Sequence, residues 1–256
     1  MTVLSDTLHE RRREVWLIAA LVVLGLTVWA FAELADEVLD GDTVRFDETI
    51  LYAMREAGDP TDPLGPAWFE ELMRDVTALG SMVFIIGITV LVMGFLALSR
   101  QYAGAVLVFV AVAGGTIISQ VLKDLFVRSR PDIVAHGMET FTASFPSGHA
   151  TLSAVTYLTL GALLMRLRAR KTEKAYIMFV AVLLAVSVGL SRLYLGVHWP
   201  TDVVAGWTIG AGWALVCWFV AAWLQSRGSL EEEIEGNEAA PPSRRRQSPP
   251  RTLDAY

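Results

Sequence analysis

Three short stretches of the chain hold the side chains that phosphoryl transfer needs. Lys123 is followed after six residues by Arg130-Pro131; a second stretch is Pro146-Ser147-Gly148-His149; in the third, Ser191-Arg192 is followed after five residues by His198 and after three more by Asp202. Together they supply three fixed cations, a glycine turn and two histidines, one with a carboxylate close behind. Moving a phosphoryl group requires cations for the non-bridging oxygens, a nucleophile, and an acid for the leaving oxygen.

Each stretch also has a plainer reading. Ser147 is a natural N-cap and Gly148 admits a ligand close to the backbone, so free N–H groups at the positive end of a helix would hold a phosphate there. An ordinary helix start has the same residues. Arg130 would grip two oxygens through its fork and Lys123 would act as a point charge, but a juxtamembrane basic pair also suits lipid head groups. In His198-Trp199-Pro200-Thr201-Asp202, Pro200 can open a helix, which puts Asp202 in its first turn. From there the carboxylate could take the Nδ1–H of His198 and leave Nε2 with a free lone pair. A lone His–x3–Asp is a weak motif; its place beside Arg192 and opposite His149 strengthens it. His9 and His136 read as a start residue and a loop residue. The motif histidines sit among cations and no spacing matches a metal site.

The elements that must position these residues are apolar. The chain has 256 residues, is 54% hydrophobic and has mean hydropathy +0.46. That is too apolar for an ordinary soluble domain and fits a polytopic membrane protein. Six runs predict spans at Val15–Ala32, Ser81–Leu98, Tyr102–Leu122, Gly148–Met165, Ala175–Leu195 and Val203–Leu224. Each has roughly 18–22 residues, enough for a hydrocarbon core of about 30 Å. The fold class expected is therefore an all-α membrane protein with six transmembrane helices. The single cysteine, Cys217, excludes an intrachain disulfide and a Cys-based metal site.

The net charge of −6 hides a segregation. With the N-terminus in the cytoplasm, the inside segments carry fourteen Lys and Arg and the outside segments seven. That bias sets the orientation in the cytoplasmic (inner) membrane and puts the three motifs at the extracytoplasmic face. Four helix ends then converge there, around Lys123, Ser147 to His149, Arg192 and Asp202. Cations placed against the topological preference need another reason, and phosphate binding supplies one. Arg11–Arg13, an apolar stretch and Ala30-Phe31-Ala32 look like a signal peptide with a cleavage site. The apolar stretch is longer than a usual signal core, which favours a retained helix; cleavage would leave five spans and the same site.

Residues 33–80 form the long outer loop, with thirteen acidic residues and three Arg. Phe46, Ile50, Leu51 and Met54, and then Trp68, Phe69, Leu72 and Val76, recur at helical spacing. They predict two short interfacial helices split at Gly58-Asp59-Pro60 and Asp62-Pro63. The pattern suits a packing collar; a gate for lipid entry is the sharper alternative. Residues 1–227 read as one six-helix transmembrane domain. Residues 228–256, rich in Glu, Pro, Ser and Arg, read as a disordered cytoplasmic tail, with Arg244–Arg246 available to anionic lipid.

Taken together, the stretches resemble the three-part signature of the type 2 phosphatidic acid phosphatase superfamily: Lys–x6–Arg-Pro, Pro-Ser-Gly-His and Ser-Arg–x5–His–x3–Asp. All three parts stand in order and without departure over residues 123–202, and the six-span plan extends the likeness to most of the chain. The resemblance implies His198 as the phosphate nucleophile, Asp202 as its orienter, and His149 as general acid and then base. It implies Lys123, Arg130, Ser147, Gly148 and Arg192 as phosphate-binding groups, with no metal and no cofactor. Membrane members of the family hydrolyse lipid phosphates or diphosphates, among them phosphatidic acid, phosphatidylglycerophosphate and undecaprenyl diphosphate. The partners implied are such a lipid and the membrane, with no nucleic acid; the oligomeric state is left open. Two alternatives remain: a phosphotransferase that passes the phosphoryl group to an acceptor lipid, and a non-catalytic lipid-phosphate binder or flippase. A binder would need the cations but not His149 or the His198–Asp202 pair.

Overall fold

A computed structural model describes the backbone of residues 2–132 and 143–238 and the side chains of residues 14–132 and 143–225. Among the described residues, eight helices, α1 (Thr2–Asp40), α2 (Val44–Tyr52), α3 (Ala67–Ala78), α4 (Met82–Leu98), α5 (Tyr102–Leu125), α6 (Gly148–Arg166), α7 (Lys171–Tyr194) and α8 (Pro200–Glu238), carry the fold. A short antiparallel hairpin, β1 (Arg55–Glu56) and β2 (Asp59–Pro63), lies between α2 and α3.

Five stretches, Glu14–Asp40, Tyr102–Leu125, Gly148–Arg166, Lys171–Tyr194 and Pro200–Gln225, are long and apolar enough to cross a membrane. The sixth span expected at Ser81–Leu98 is α4, which has 17 residues and reaches about 25 Å at 1.5 Å per residue. Counted as one span with α3, from which it bends by 48°, it would be the sixth. Gly80 sits at that bend. A Cβ there would lie 2.4 Å from Cγ1 of Val188 and 3.4 Å from His149, so the joint is pressed against α7 and the start of α6. Ser81 then caps α4, its Oγ accepting the Phe84 N–H at 3.3 Å.

Helix α6 is the centre of the bundle, with an unbroken buried run from Ala150 to Tyr157. It packs against α5, α7 and α8. Gly206 and Gly210 of α8 bring two backbones together: a Cβ on Gly206 would lie 2.7 Å from the Ser147 carbonyl oxygen, and one on Gly210 would lie 2.5 Å from that of Thr151. Small residues four apart are the usual device for close helix approach in a bilayer, where no hydrophobic force separates helix from lipid.

The expected boundaries differ where charge begins. Helix α1 continues beyond Ala32 to Asp40, through Glu33, Asp36 and Glu37. Charge ends the apolar stretch but does not end a helix, because Glu and Ala are good helix formers. Phe31 and Ala35 are buried there, with Leu34 and Val38 packed beside them against Phe145 and Phe126. Helix α5 runs to Leu125, so Lys123 lies in its last turn rather than after it. Helix α8 continues to Glu238, past the boundary expected at 227. Arg244–Arg246 and the rest of the expected tail after 238, like His136, lie outside the described residues, and so does the side chain of His9.

The two short helices expected in this loop are α2 and α3, with α3 against α7 and α2 against α8. The faces match the expected ones in part. On α2, Phe46 is exposed, whereas Asp47 and Leu51 are buried. On α3 no residue is fully buried.

Candidate active site

Helix α8 begins with two carboxylates at its N-terminus. Pro200 occupies the first helical position, where no N–H is needed. Asp202, at the third, reaches back so that its Oδ2 accepts the Trp199 N–H at 2.9 Å, one half of a capping box. The orphan N–H of Thr201 donates to Oδ1 of Asp47 at 3.0 Å, so a carboxylate from α2 caps α8 across space. The Thr201 hydroxyl donates to the other Asp47 oxygen at 2.7 Å.

Asp202 is fully buried, and its charge is satisfied on all sides. Besides Trp199, its Oδ2 accepts from the Ser144 hydroxyl at 2.6 Å and lies 3.3 Å from Nδ1 of His198. Its Oδ1 accepts from Nη1 of Arg128 at 2.7 Å. Nη2 of Arg128 donates to Asp47 at 2.7 Å, and its guanidinium lies 5.6 Å from the centre of the Trp199 ring. A buried carboxylate persists as an anion only with such partners.

His198 is held from both sides. Helix α7 ends at Tyr194, and Gly196, at φ +69°, turns the chain in the left-handed conformation that commonly closes a helix. This places His198 directly ahead of α8. With the carboxylate at Nδ1, the proton belongs on Nδ1 and the lone pair on Nε2. Nη1 of Arg130 lies 3.4 Å from that Nε2 and donates to the Val197 carbonyl at 2.9 Å. Burial pushes the His198 imidazole down to about 4, against the upward pull of Asp202. Burial also lowers Arg130 from its ordinary value, with Asp202 opposing.

The other motif residues converge on the same place. Ser147 caps α6: its Oγ lies 3.5 Å from the Ala150 N–H, and its own N–H donates to the Asp202 carbonyl at 2.9 Å, tying the start of α6 to the start of α8. The first N–H groups of α6 have no partner within the helix, as at any helix start. Lys123 is buried and its Nζ donates to the Ala143 carbonyl at 2.7 Å, next to Ser144. Nη1 of Arg192 donates to the Thr77 hydroxyl at 3.2 Å; its Nε is buried with no partner among the described residues. Lys123, Arg130, Arg192 and His198 all lie within electrostatic reach of His149. All eight residues singled out in the sequence therefore sit in one cluster at one end of the bundle.

Four residues of this cluster lie outside the three motifs: Arg128, Asp47, Ser144 and Thr201. Asp47 carried a signal, since it falls four residues before Leu51 on the same helix face. Arg128 was visible as a cation two residues before Arg130. Ser144 and Thr201 carried none, because a hydroxyl beside a motif is unremarkable until its partner is known.

Comparison with known proteins gives a consistent set. Residues 104–226 match the model of the PAP2 superfamily. A phosphatidylglycerophosphatase B of Bacillus subtilis is 32% identical over 144 residues, which is 56% of this chain and 70% of that protein. A lipid A 1-phosphatase of Rhizobium johnstonii is 33% identical over 135 residues, 49% of this chain and 51% of that one. An undecaprenyl-diphosphatase of Sulfolobus acidocaldarius is 34% identical over 89 residues, 35% of this chain and 37% of that one. Among solved structures, a transmembrane PAP2 type phosphatidylglycerolphosphate phosphatase from Bacillus subtilis matches with a TM-score of 0.65 at 26% identity, over 84% of this chain and 96% of that one.

Proposed function

Given that the chain belongs to the PAP2 superfamily, we propose that it is an integral-membrane phosphatase that hydrolyses a lipid phosphate or diphosphate through a phosphohistidine at the extracytoplasmic face, without a metal ion. The observation that carries this reading is the orientation of His198. Its Nδ1 faces Asp202 and its Nε2 faces the cation Arg130. The nucleophilic lone pair thus points to where an anion is attracted. A binding protein has no use for a buried carboxylate that fixes a histidine tautomer, which disfavours the binder or flippase alternative.

The reaction proceeds in two steps. Nε2 of His198 attacks phosphorus in line while Lys123, Arg130, Arg192 and the N–H groups at the start of α6 take up charge on the three equatorial oxygens. Gly148 belongs to that cradle. Its surroundings leave room for a Cβ, with Lys123 Cε at 3.5 Å and Ser119 Oγ at 3.7 Å, so packing does not demand glycine there and a phosphate close to its N–H does. His149 protonates the leaving oxygen, and the bond from that oxygen to phosphorus breaks. Asp202 stabilises the imidazolium that the attack creates. His149, now neutral, takes a proton from water, which displaces His198 and releases inorganic phosphate.

Relatives named for phosphatidylglycerophosphate, undecaprenyl diphosphate and lipid A point to a lipid carrying a terminal phosphate or diphosphate. The test is phosphate release by the purified full-length protein from a panel of such lipids after exhaustive EDTA treatment, beside His198→Ala. Release by the wild type and none by the variant supports the reading. No release from any lipid, or complete loss on chelation that Mg²⁺ or Zn²⁺ restores, overturns it.

A further inference from the structure

At the end of the bundle remote from His198, helices α5, α6 and α8 part to leave a cavity of about 350 Å³. This is at the small end of ligand pockets, which run roughly 300–1,000 Å³. Its walls are apolar, built by residues such as Leu107, Leu163, Trp213 and Cys217. Trp213 spends its one donor on the Ala111 carbonyl at 2.9 Å and so presents only its ring. Polarity enters at one end alone, where exposed Arg166 and Gln225 meet. Nη1 of Arg166 donates to Oε1 of Gln225 at 3.0 Å, and the guanidinium lies 5.9 Å from the centre of the Trp218 ring. Arg has five donors in a planar fork, so that bond leaves most of it for an acceptor.

Two features say what the acceptor is. Trp218 meets Trp16 and Phe219 edge to face, with ring centres 5.3 and 5.1 Å apart, an aromatic group of the kind that marks head-group depth. The chain beyond Arg166 carries Arg168, Arg170, Lys171 and Lys174 against one acid, Glu173, which pairs with Arg170 at 3.9 Å. Apolar walls closed at one end by a cation, at head-group depth and beside a basic segment, match one molecule in shape and in charge.

We propose that this groove is a binding site for one anionic membrane lipid of the leaflet opposite the catalytic face. An acyl chain fills the cavity between α5, α6 and α8, and the net negative charge of the head group, which a zwitterionic head group lacks, is met by Arg166. The site is separate from the catalytic cluster and needs no phosphomonoester.

Native mass spectrometry of the full-length protein tests this, with phosphatidylserine and phosphatidylcholine of the same acyl chains added in equal amounts. Both are diesters, outside the class of substrate proposed above. The wild type should keep one phosphatidylserine in preference by about fivefold, the selectivity of one interfacial cation. Arg166→Gln should erase the preference while still keeping a lipid. Ala103→Phe, from an exposed position on the groove wall, should abolish retention of both. Phosphatidylserine should also raise the Tm of the wild type and not that of Ala103→Phe. Equal retention of the two lipids by the wild type overturns the proposal, and so does undiminished retention by Ala103→Phe. A wild-type dimer that Ala103→Phe dissociates would give the groove to a second copy of the chain, and also overturns it.

Discussion

Arg128 donates to Asp202 at 2.7 Å, so the carboxylate that orients His198 is itself held by an arginine from outside the three motifs. The same guanidinium reaches Asp47, and Asp47 caps the helix on which Asp202 stands. The position of His198, the proposed nucleophile, therefore depends on a chain of contacts that runs from α2 through the α5–α6 connection to α8.

Arg128→Ala removes the cation between two carboxylates that are each almost fully buried. Breaking a buried pair on one side costs about 3–5 kcal/mol, because the stranded charge is worse than no pair. The variant should show a lower unfolding temperature in detergent and a lower rate of phosphate release. Adding Asp47→Asn to it should recover part of the stability and none of the rate. Wild-type stability in Arg128→Ala would show that water already satisfies both carboxylates.

His198 and His149 should fail differently. An acid-quenched reaction with a ³²P-labelled lipid phosphate should trap a phosphoenzyme in the wild type and none in His198→Ala. His149→Ala should lose about 10²–10⁴ in rate on a lipid substrate, the usual worth of a general acid. That loss should shrink on a nitrophenyl phosphate, whose leaving group needs little protonation. Equal loss on both substrates would remove His149 from the leaving-group step.

The pH dependence follows from His198. Burial holds its imidazole at about 4, below the ordinary value of 6.5. Between those values the unfolded chain binds more protons than the folded one, so stability is full above about pH 6.5 and is lost as pH falls toward 4. His198→Asn should flatten that slope in thermal unfolding. The acid limb of kcat/KM, which reports the free enzyme, should lie near 4 for the same reason. A kcat/KM limb near 6.5, or a stability curve that His198→Asn leaves unchanged, would mean that His198 is solvated.

Gly148→Ala should be a kinetic variant. The new methyl group meets Lys123 and Ser119 at ordinary contact distances, so the unfolding temperature should stay close to that of the wild type. The methyl stands where a phosphate approaches the start of α6, so kcat/KM should fall and inhibition by vanadate should weaken with it. Unchanged vanadate inhibition would place the anion away from α6.

The orientation predicts labelling from outside. A cysteine at the exposed Asp62, in a Cys217→Ala background, should react with an impermeant maleimide in intact cells. Labelling only after lysis would put the catalytic face in the cytoplasm.

The candidate cluster was legible in the sequence because most of the eight motif residues sit at or beside helix ends, and apolar runs mark helix ends well. Lys123, His149, Arg192 and Asp202 all fell where a run began or stopped. What spacing missed has a common cause. The bonds between Asp47 and Thr201 and between Ser144 and Asp202 join residues 154 and 58 positions apart, and no local pattern encodes such a partner. The course of α1 through Glu33 to Asp40 was missed for another reason: the end of the apolar stretch was read as the end of the helix. The hairpin of β1 and β2 sits in a segment whose Gly and Pro signalled only a break. At the start of β2, Asp59 accepts from both the N–H and the hydroxyl of Thr61.

Gly206 and Gly210 turn the bundle into a calliper. Where two backbones touch, the gap between them is set by atomic radii and not by the choice of side chains. One jaw of this calliper carries His149 and the other is continuous with His198, so the separation of the two histidines is fixed by a contact that lies between apolar helices. An alanine at Gly206 would wedge the jaws apart without altering a single charge. A misplacement of about 1 Å can cost on the order of 10²-fold in rate. The spacing of the two histidines is thus machined into a contact between two helix backbones that carries no charge.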